Sequence, residues 1–82
     1  MYYLYILKSQ NFKRTYTGIT MNVAKRLLEH NSGQVRSTHF YKPYILIYQE
    51  KFLTKTEARK RELELKINSF RKEVLFKKLS LQ

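Results

Sequence analysis

Residues 2–7, Tyr-Tyr-Leu-Tyr-Ile-Leu, form an almost unbroken apolar and aromatic run. Its length and its Tyr and Ile content predict a strand covered on both faces, and therefore central in its sheet. Ser9-Gln10-Asn11-Phe12 reads as a turn, and a second strand rich in Thr and Tyr is predicted from about Arg14 to Ile19. The short connection predicts an antiparallel hairpin. A helix follows, capped by Asn22, with Val23, Ala24, Leu27 and Leu28 as its apolar stripe and Asn31-Ser32-Gly33 as its stop. Residues 34–42 are polar, basic and aromatic and read as a loop that Pro43 ends. Residues 44–48, Tyr-Ile-Leu-Ile-Tyr, read as a third strand. Thr54 and Glu57 have the spacing of a capping box, and Leu53 and Ala58 that of a hydrophobic staple, so a second helix is predicted to about Ile67. Asn68-Ser69 breaks it, and a last helix runs through Phe70, Val74, Leu75 and Leu79. The order β-β-α-β-α-α predicts an α/β chain of the α+β type, a small three-stranded antiparallel sheet flanked by helices. No repeat or linker divides residues 1–82, which are expected to be one domain.

Composition narrows the chemistry. A chain of 82 residues buries only a modest core, roughly 60% of its unfolded surface. With 7 Tyr, 5 Phe and no Trp, much of that core must be phenol and phenyl rings, whose polar tips can reach a ligand. Cysteine is absent, which excludes a disulfide, a zinc-thiolate site and a cysteine nucleophile and fits a reducing cytoplasm. No apolar run approaches a membrane span, and the N-terminus lacks the basic flank and small-residue cleavage site of a signal peptide. A cytoplasmic protein with no membrane partner is expected.

Charge changes the picture most. Seventeen Lys and Arg against six acids give +11, spread along the chain instead of gathered in a tail. A polyanion is the natural partner, and nucleic acid, DNA or RNA, is the commonest one, with a membrane surface or an acidic protein as the less favoured alternatives. All six acids are Glu. Two-metal nucleases built on several carboxylates are therefore hard to accommodate, and any metal must rest on one or very few glutamates, with water and phosphate filling its other positions, as suits Mg²⁺.

Several positions combine chemistry with placement. Tyr3 and Tyr5 lie on the first strand, Tyr16 and Gly18 on the second, where a glycine lets a backbone or ligand come close. Arg26 and His30 are one helical turn apart. Ala58, Glu62 and Leu65 share the face that should pack on the sheet, and a carboxylate there needs a reason. It is either an ion pair with Arg61 or Lys66, or a metal ligand. Each residue also has a plain reading: the tyrosines as core, Arg26 as a solvated or phosphate-contacting side chain, His30 as a C-terminal cap favoured by the helix dipole.

Taken together these residues resemble the GIY-YIG endonucleases. Leu4-Tyr5-Ile6 and Tyr16-Thr17-Gly18 look like the paired tripeptides that name that family. Arg26 and His30 follow Tyr16 at the spacing of its arginine and its Tyr/His position. Residues 56–66 are similar to its glutamate-bearing helix, with Glu62 at the catalytic position. His30-Asn31-Ser32-Gly33 and the loop from Val35 to Thr38 look like a small stand-alone bacterial branch, similar to the nuclease domain of the excision-repair subunit UvrC. Thr17 replaces the usual isoleucine, and Ile19 stands where some members carry a lysine.

The resemblance implies a metal-dependent endonuclease acting on DNA, with a role in repair or recombination. Glu62 holds one ion, Mg²⁺ or Mn²⁺. Tyr16 is the general base, which requires nearby positive charge because a free phenol titrates near 10. Tyr5 and His30 join its hydrogen-bond network, and Arg26 stabilises charge growing on the phosphate. Gly18, Arg36, Lys42, Lys55, Arg59 and Lys66 are the candidate nucleic-acid contacts. The alternatives are a nucleic-acid-binding module of the same fold without catalysis, and a domain that docks an acidic protein.

Overall fold

In the computed structural model, residues 1–79 are described, with the backbone alone for Ser69 and Phe70. The expected domain's last three residues, 80–82, and the side chain of Phe70 lie outside the described residues. The elements are β1 (Tyr2–Ser9), β2 (Thr15–Thr20), α1 (Val23–Asn31), a 3₁₀ turn (His39–Tyr41), β3 (Tyr44–Phe52), α2 (Lys55–Ile67) and α3 (Ser69–Lys78). The three strands make one antiparallel sheet in the order β2-β1-β3. The apolar run thus becomes the central strand, as its two-sided hydrophobicity predicts.

Each face of β1 has its own cover. Leu4 and Ile6 pack with Leu65 of α2 and Leu75 of α3, flanked by Ile19, Ile47, Tyr48 and Phe52. Tyr5 and Leu7 face the other way and pack with Tyr44, Tyr16, Tyr41 and the α1 residues Val23 and Leu27. Helices therefore lie on both faces, and β2 and β3 are the edges of the sheet.

Several boundaries differ from the sequence reading, for physical reasons. β3 runs on to Phe52 because an edge strand can solvate the charged Glu50 and Lys51 that end its apolar stretch. A bulge between Ile6 and Leu7 pairs them with Tyr48 and Leu46, so one β3 residue is extra and the strand bends locally. The loop at 34–42 contains the 3₁₀ turn. On α1 the buried face is Val23, Leu27 and His30; Ala24 is exposed and Leu28 is 71% exposed, so the expected four-residue stripe is too wide by these two.

The helix ends follow their chemistry. Asn22 accepts from the Lys25 amide at 3.0 Å, and Gly33, at φ +84°, lets the Gln34 amide turn back to the Glu29 carbonyl. Thr54 accepts from the Glu57 amide at 3.2 Å, and its hydroxyl donates to the Glu57 carboxylate at 3.1 Å. The predicted staple does not close: Ala58 is buried on the sheet, whereas Leu53 is 73% exposed.

Candidate active site

β1 and β2 pair Tyr5 with Gly18 and Leu7 with Tyr16, so the two phenols project from one face of neighbouring strands. Gly18 is buried beneath them. A Cβ there would stand 2.8 Å from the Tyr5 hydroxyl oxygen and 2.9 Å from Cε2 of Tyr16. The space expected to admit a phosphate is filled by the two rings. Gly18 brings the tyrosines together; it presents no surface of its own.

α1 delivers His30 to the same place, fully buried. Its ring centre is 4.8 Å from that of Tyr16 and 5.9 Å from that of Tyr5. Nε2 is 3.0 Å from the Tyr5 hydroxyl and Nδ1 is 2.8 Å from Oγ1 of Thr38. Thr38 donates its own proton to the Val35 carbonyl at 3.3 Å. It therefore accepts from His30, which places the imidazole proton on Nδ1 and leaves Nε2 to accept from Tyr5. Burial, then the Arg26 charge, lowers the His30 pKa, while Glu29 opposes this. Burial pushes the Tyr5 phenol up to about 12; a hydrogen bond with Arg26 works against this, and the charges of Tyr16 and Glu62 add to the rise. Near neutral pH, then, Tyr5 is a protonated donor held by a neutral histidine. Tyr16, half-buried, is the more accessible phenol.

Arg26 lies beside the Tyr5 hydroxyl and bonds Glu29 at 2.9 Å, and these two contacts raise its pKa. Glu62 comes from α2, the helix backing the opposite face of the sheet. Its side chain is 6% exposed, with Arg59 at 2.8 Å on Oε1 and Lys66 at 3.0 Å on Oε2. Of the two ion-pair partners the sequence offered, Lys66 is engaged and Arg61 is not: Arg61 bonds Glu50 at 2.8 Å and also pairs with Glu64. Lys66 closes the circuit, because its Nζ also lies 5.8 Å from the Tyr16 ring centre. Tyr5, Tyr16, Arg26, His30 and Glu62 are thus linked through direct contacts and Lys66 around the β2 edge. They do not share one cavity: of the five, Arg26 lines a surface cavity, and Tyr5, Tyr16, His30 and Glu62 line neither that one nor its neighbour. Two cavities that meet at Ile19, of about 420 and 450 Å³, hold Arg26 and Glu29 on one side and Lys55, Arg59 and Lys60 on the other.

Arg36 and Lys42 are exposed on the loop beyond α1, Lys42 lying over Gly33. Three residues that the sequence reading did not single out for the site hold its frame. Thr38 is 2% exposed and orients His30. Tyr44, its ring 6.1 Å from His30, donates to the Thr38 carbonyl at 3.2 Å. Asn31 grips both backbone groups of Tyr44, tying the end of α1 to β3. Asn31 and Thr38 lie in the stretches that resemble the stand-alone branch, but a polar residue at a helix end or in a loop carries no periodic signal of its role, and Tyr44 reads simply as the start of a strand.

The profile of the GIY-YIG catalytic domain matches residues 1–74. The chain belongs to the GIY-YIG family. It is 42% identical over 74 residues to UPF0213 protein SSP2268 of Staphylococcus saprophyticus, covering 89% of each chain. It is 44% identical over 66 residues to UPF0213 protein H16_B0156 of Cupriavidus necator, covering 79% of this chain and 71% of that one. The solution NMR structure of UPF0213 protein BH0048 from Bacillus halodurans is similar at a TM-score of 0.57 and 34% identity, over 95% of this chain and 83% of that one. The β-β-α-β-α-α sheet fold and the likeness to small GIY-YIG proteins are therefore shown, and the family is a nuclease family. No described helix is long and apolar enough to cross a membrane.

Among the described residues no group of three or more His, Cys, Asp or Glu could hold a metal. A single hard oxygen donor still fits an ion that keeps most of its water, as Mg²⁺ does. Glu62 is such a donor, and the two cations on it are on side chains about half exposed, 58% for Arg59 and 45% for Lys66, free to swing aside.

Proposed function

We propose that this GIY-YIG chain is a divalent-metal-dependent endonuclease that hydrolyses phosphodiester bonds in DNA, with repair or recombination as its setting and the cytoplasm as its compartment. The observation that carries this reading is the Tyr16 ring, packed against His30 at 4.8 Å on one side and approached by the Glu62-bound Lys66 at 5.8 Å.

Bound at Glu62, a Mg²⁺ or Mn²⁺ ion would supply Lewis-acid neutralisation of the phosphate and of the leaving oxygen. Tyr16 takes the proton of the attacking water. The cation that a phenol acting as a base requires is available from Lys66. Tyr5 cannot share that role, because burial holds it protonated and its hydroxyl proton is committed to His30. It fixes His30 and, through the Gly18 contact, the packing of Tyr16. Arg26 exchanges its Glu29 partner for a phosphate oxygen, where a charged donor gains most as negative charge grows in the transition state. Arg36, Lys42, Lys55, Arg59 and Lys66 track the phosphates on either side, and the +11 charge draws the polyanion in.

A panel of labelled single-stranded, duplex and branched DNA and RNA, incubated with Mg²⁺ or Mn²⁺, tests this. Cleavage that disappears with EDTA and with Glu62→Gln, while binding persists, is expected. Binding without cleavage on every substrate and with either metal would leave the non-catalytic binding module as the correct reading.

A further inference from the structure

The loop leading from His30 to β3 carries a feature that phosphate contacts do not explain. Phe40 is 76% exposed, whereas Tyr44 four residues on is buried. Its ring lies on that of His39, with centroids 4.2 Å apart and a tilt of 32°. The segment beneath is firmly held. Thr38 bonds His30, its carbonyl accepts from the Tyr41 amide and the Tyr44 hydroxyl, and Ser9 donates to the Tyr41 carbonyl at 2.7 Å. His39 Nδ1 lies 2.9 Å from the Arg36 carbonyl. An exposed phenyl ring is thus presented on a fixed turn two residues from a direct contact with buried His30.

The surroundings select the partner. From His30 to Gln49 there is no acidic residue, and the loop that carries the ring also carries Arg36 and Lys42, both exposed. Next to it, Tyr41 carries the Arg14 guanidinium at 4.7 Å and the half-exposed Phe12 edge-on at 5.2 Å. A lone phenyl is too small to anchor a protein interface of ordinary area. An exposed π-face on a basic loop free of acids matches a nucleobase with its phosphates, the arrangement by which proteins hold unpaired strands.

We propose that Phe40, backed by His39, is a stacking site for an unpaired nucleobase, so that the strand held here is single-stranded or has a base turned out of its stack. This rests on the nucleic-acid reading above and deepens it to a substrate class.

The test is binding, measured by anisotropy at fixed salt without metal, using a labelled 12-nucleotide single strand, the same strand in a blunt duplex, and a chain of abasic sites of equal length. Phe40→Ala should weaken the single strand about 5- to 150-fold, the range spanned by roughly 1–3 kcal/mol per stacked base. It should leave the duplex and the abasic chain within about two-fold, and Phe40→Tyr should restore the single-strand affinity. Because the chain has no Trp, Phe40→Trp adds a single reporter, whose emission should be quenched by the single strand and not by the abasic chain. Equal losses on all three ligands, or no loss on any, would overturn the stacking site while leaving nucleic-acid binding intact. Failure of the wild-type protein to bind any of the three would remove both readings.

Discussion

Gly18→Ala is the substitution whose cost the geometry defines most closely. The added methyl would meet the Tyr5 hydroxyl at 2.8 Å, Tyr5 Cζ at 2.9 Å and Tyr16 Cε2 at 2.9 Å. Tyr16 is half-buried and can swing, but Tyr5 is 1% exposed and bonded to His30. Overpacking of this kind costs about 1–3 kcal/mol, and breaking the Tyr5–His30 bond adds about 1 kcal/mol. Alanine's better fit to a strand returns roughly 0.5–1 kcal/mol. The net loss is about 1–3 kcal/mol, which in a domain of this size lowers Tm by roughly 4–8 °C for each kcal/mol. Guanidinium unfolding followed by far-UV circular dichroism reads it as a lower midpoint at unchanged slope. A loss below about 0.5 kcal/mol, ordinary for a surface position, would show that the two phenols do not depend on Gly18.

Three further outcomes follow from the same contacts. Burial holds His30 below its ordinary value of 6.5, so below that pH the unfolded chain takes up a proton that the native one refuses; the stability due to neutral His30 is full above about 6.5 and is lost as pH falls toward the folded value. His30→Gln should flatten that limb of a stability-versus-pH series, and an unchanged limb would contradict the assignment. Lys66→Met should lower the Mg²⁺ concentration for half-maximal cleavage at saturating DNA by about two-fold, since a half-exposed ion pair is worth about 0.5 kcal/mol; an unchanged or raised requirement would mean that Lys66 does not compete for Glu62. Binding should fall with salt at a log–log slope of about −3 to −5 if roughly four to six phosphates are contacted, and a slope near zero in a salt titration would exclude an electrostatic interface.

The fold was largely legible because its signals are local and periodic. The run from Tyr2 to Leu7 gave a two-sided central strand, Asn22 and Thr54 announced two helices, and Gly33 stopped the first. Where a residue's fate depends on tertiary contacts, periodicity misled: Leu28 and Leu53 look apolar enough to pack but are left exposed among the described residues. For the candidate site, Tyr5, Tyr16, Arg26, His30 and Glu62 could be nominated because they stand at the spacings of the GIY-YIG motifs. Thr38 and Tyr44, which orient His30, were not, because their roles depend on how the 34–42 loop folds back. Nor does the sequence show that Gly18 accommodates two tyrosine rings, since that follows only from the register of β1 on β2.

The central claim is that Tyr16 and Glu62 act together in hydrolysis and not merely in binding. Single-turnover cleavage of a bound substrate in Mn²⁺ or Mg²⁺, with anisotropy recorded on the same samples, tests it most directly for Tyr16→Phe. The substitution removes one hydroxyl and leaves the ring against His30. The account predicts affinity within about two-fold of wild type and a rate lowered by about 100-fold or more, the scale of losing a positioned proton acceptor. Cleavage at the wild-type rate by Tyr16→Phe would contradict it and move the base to another group.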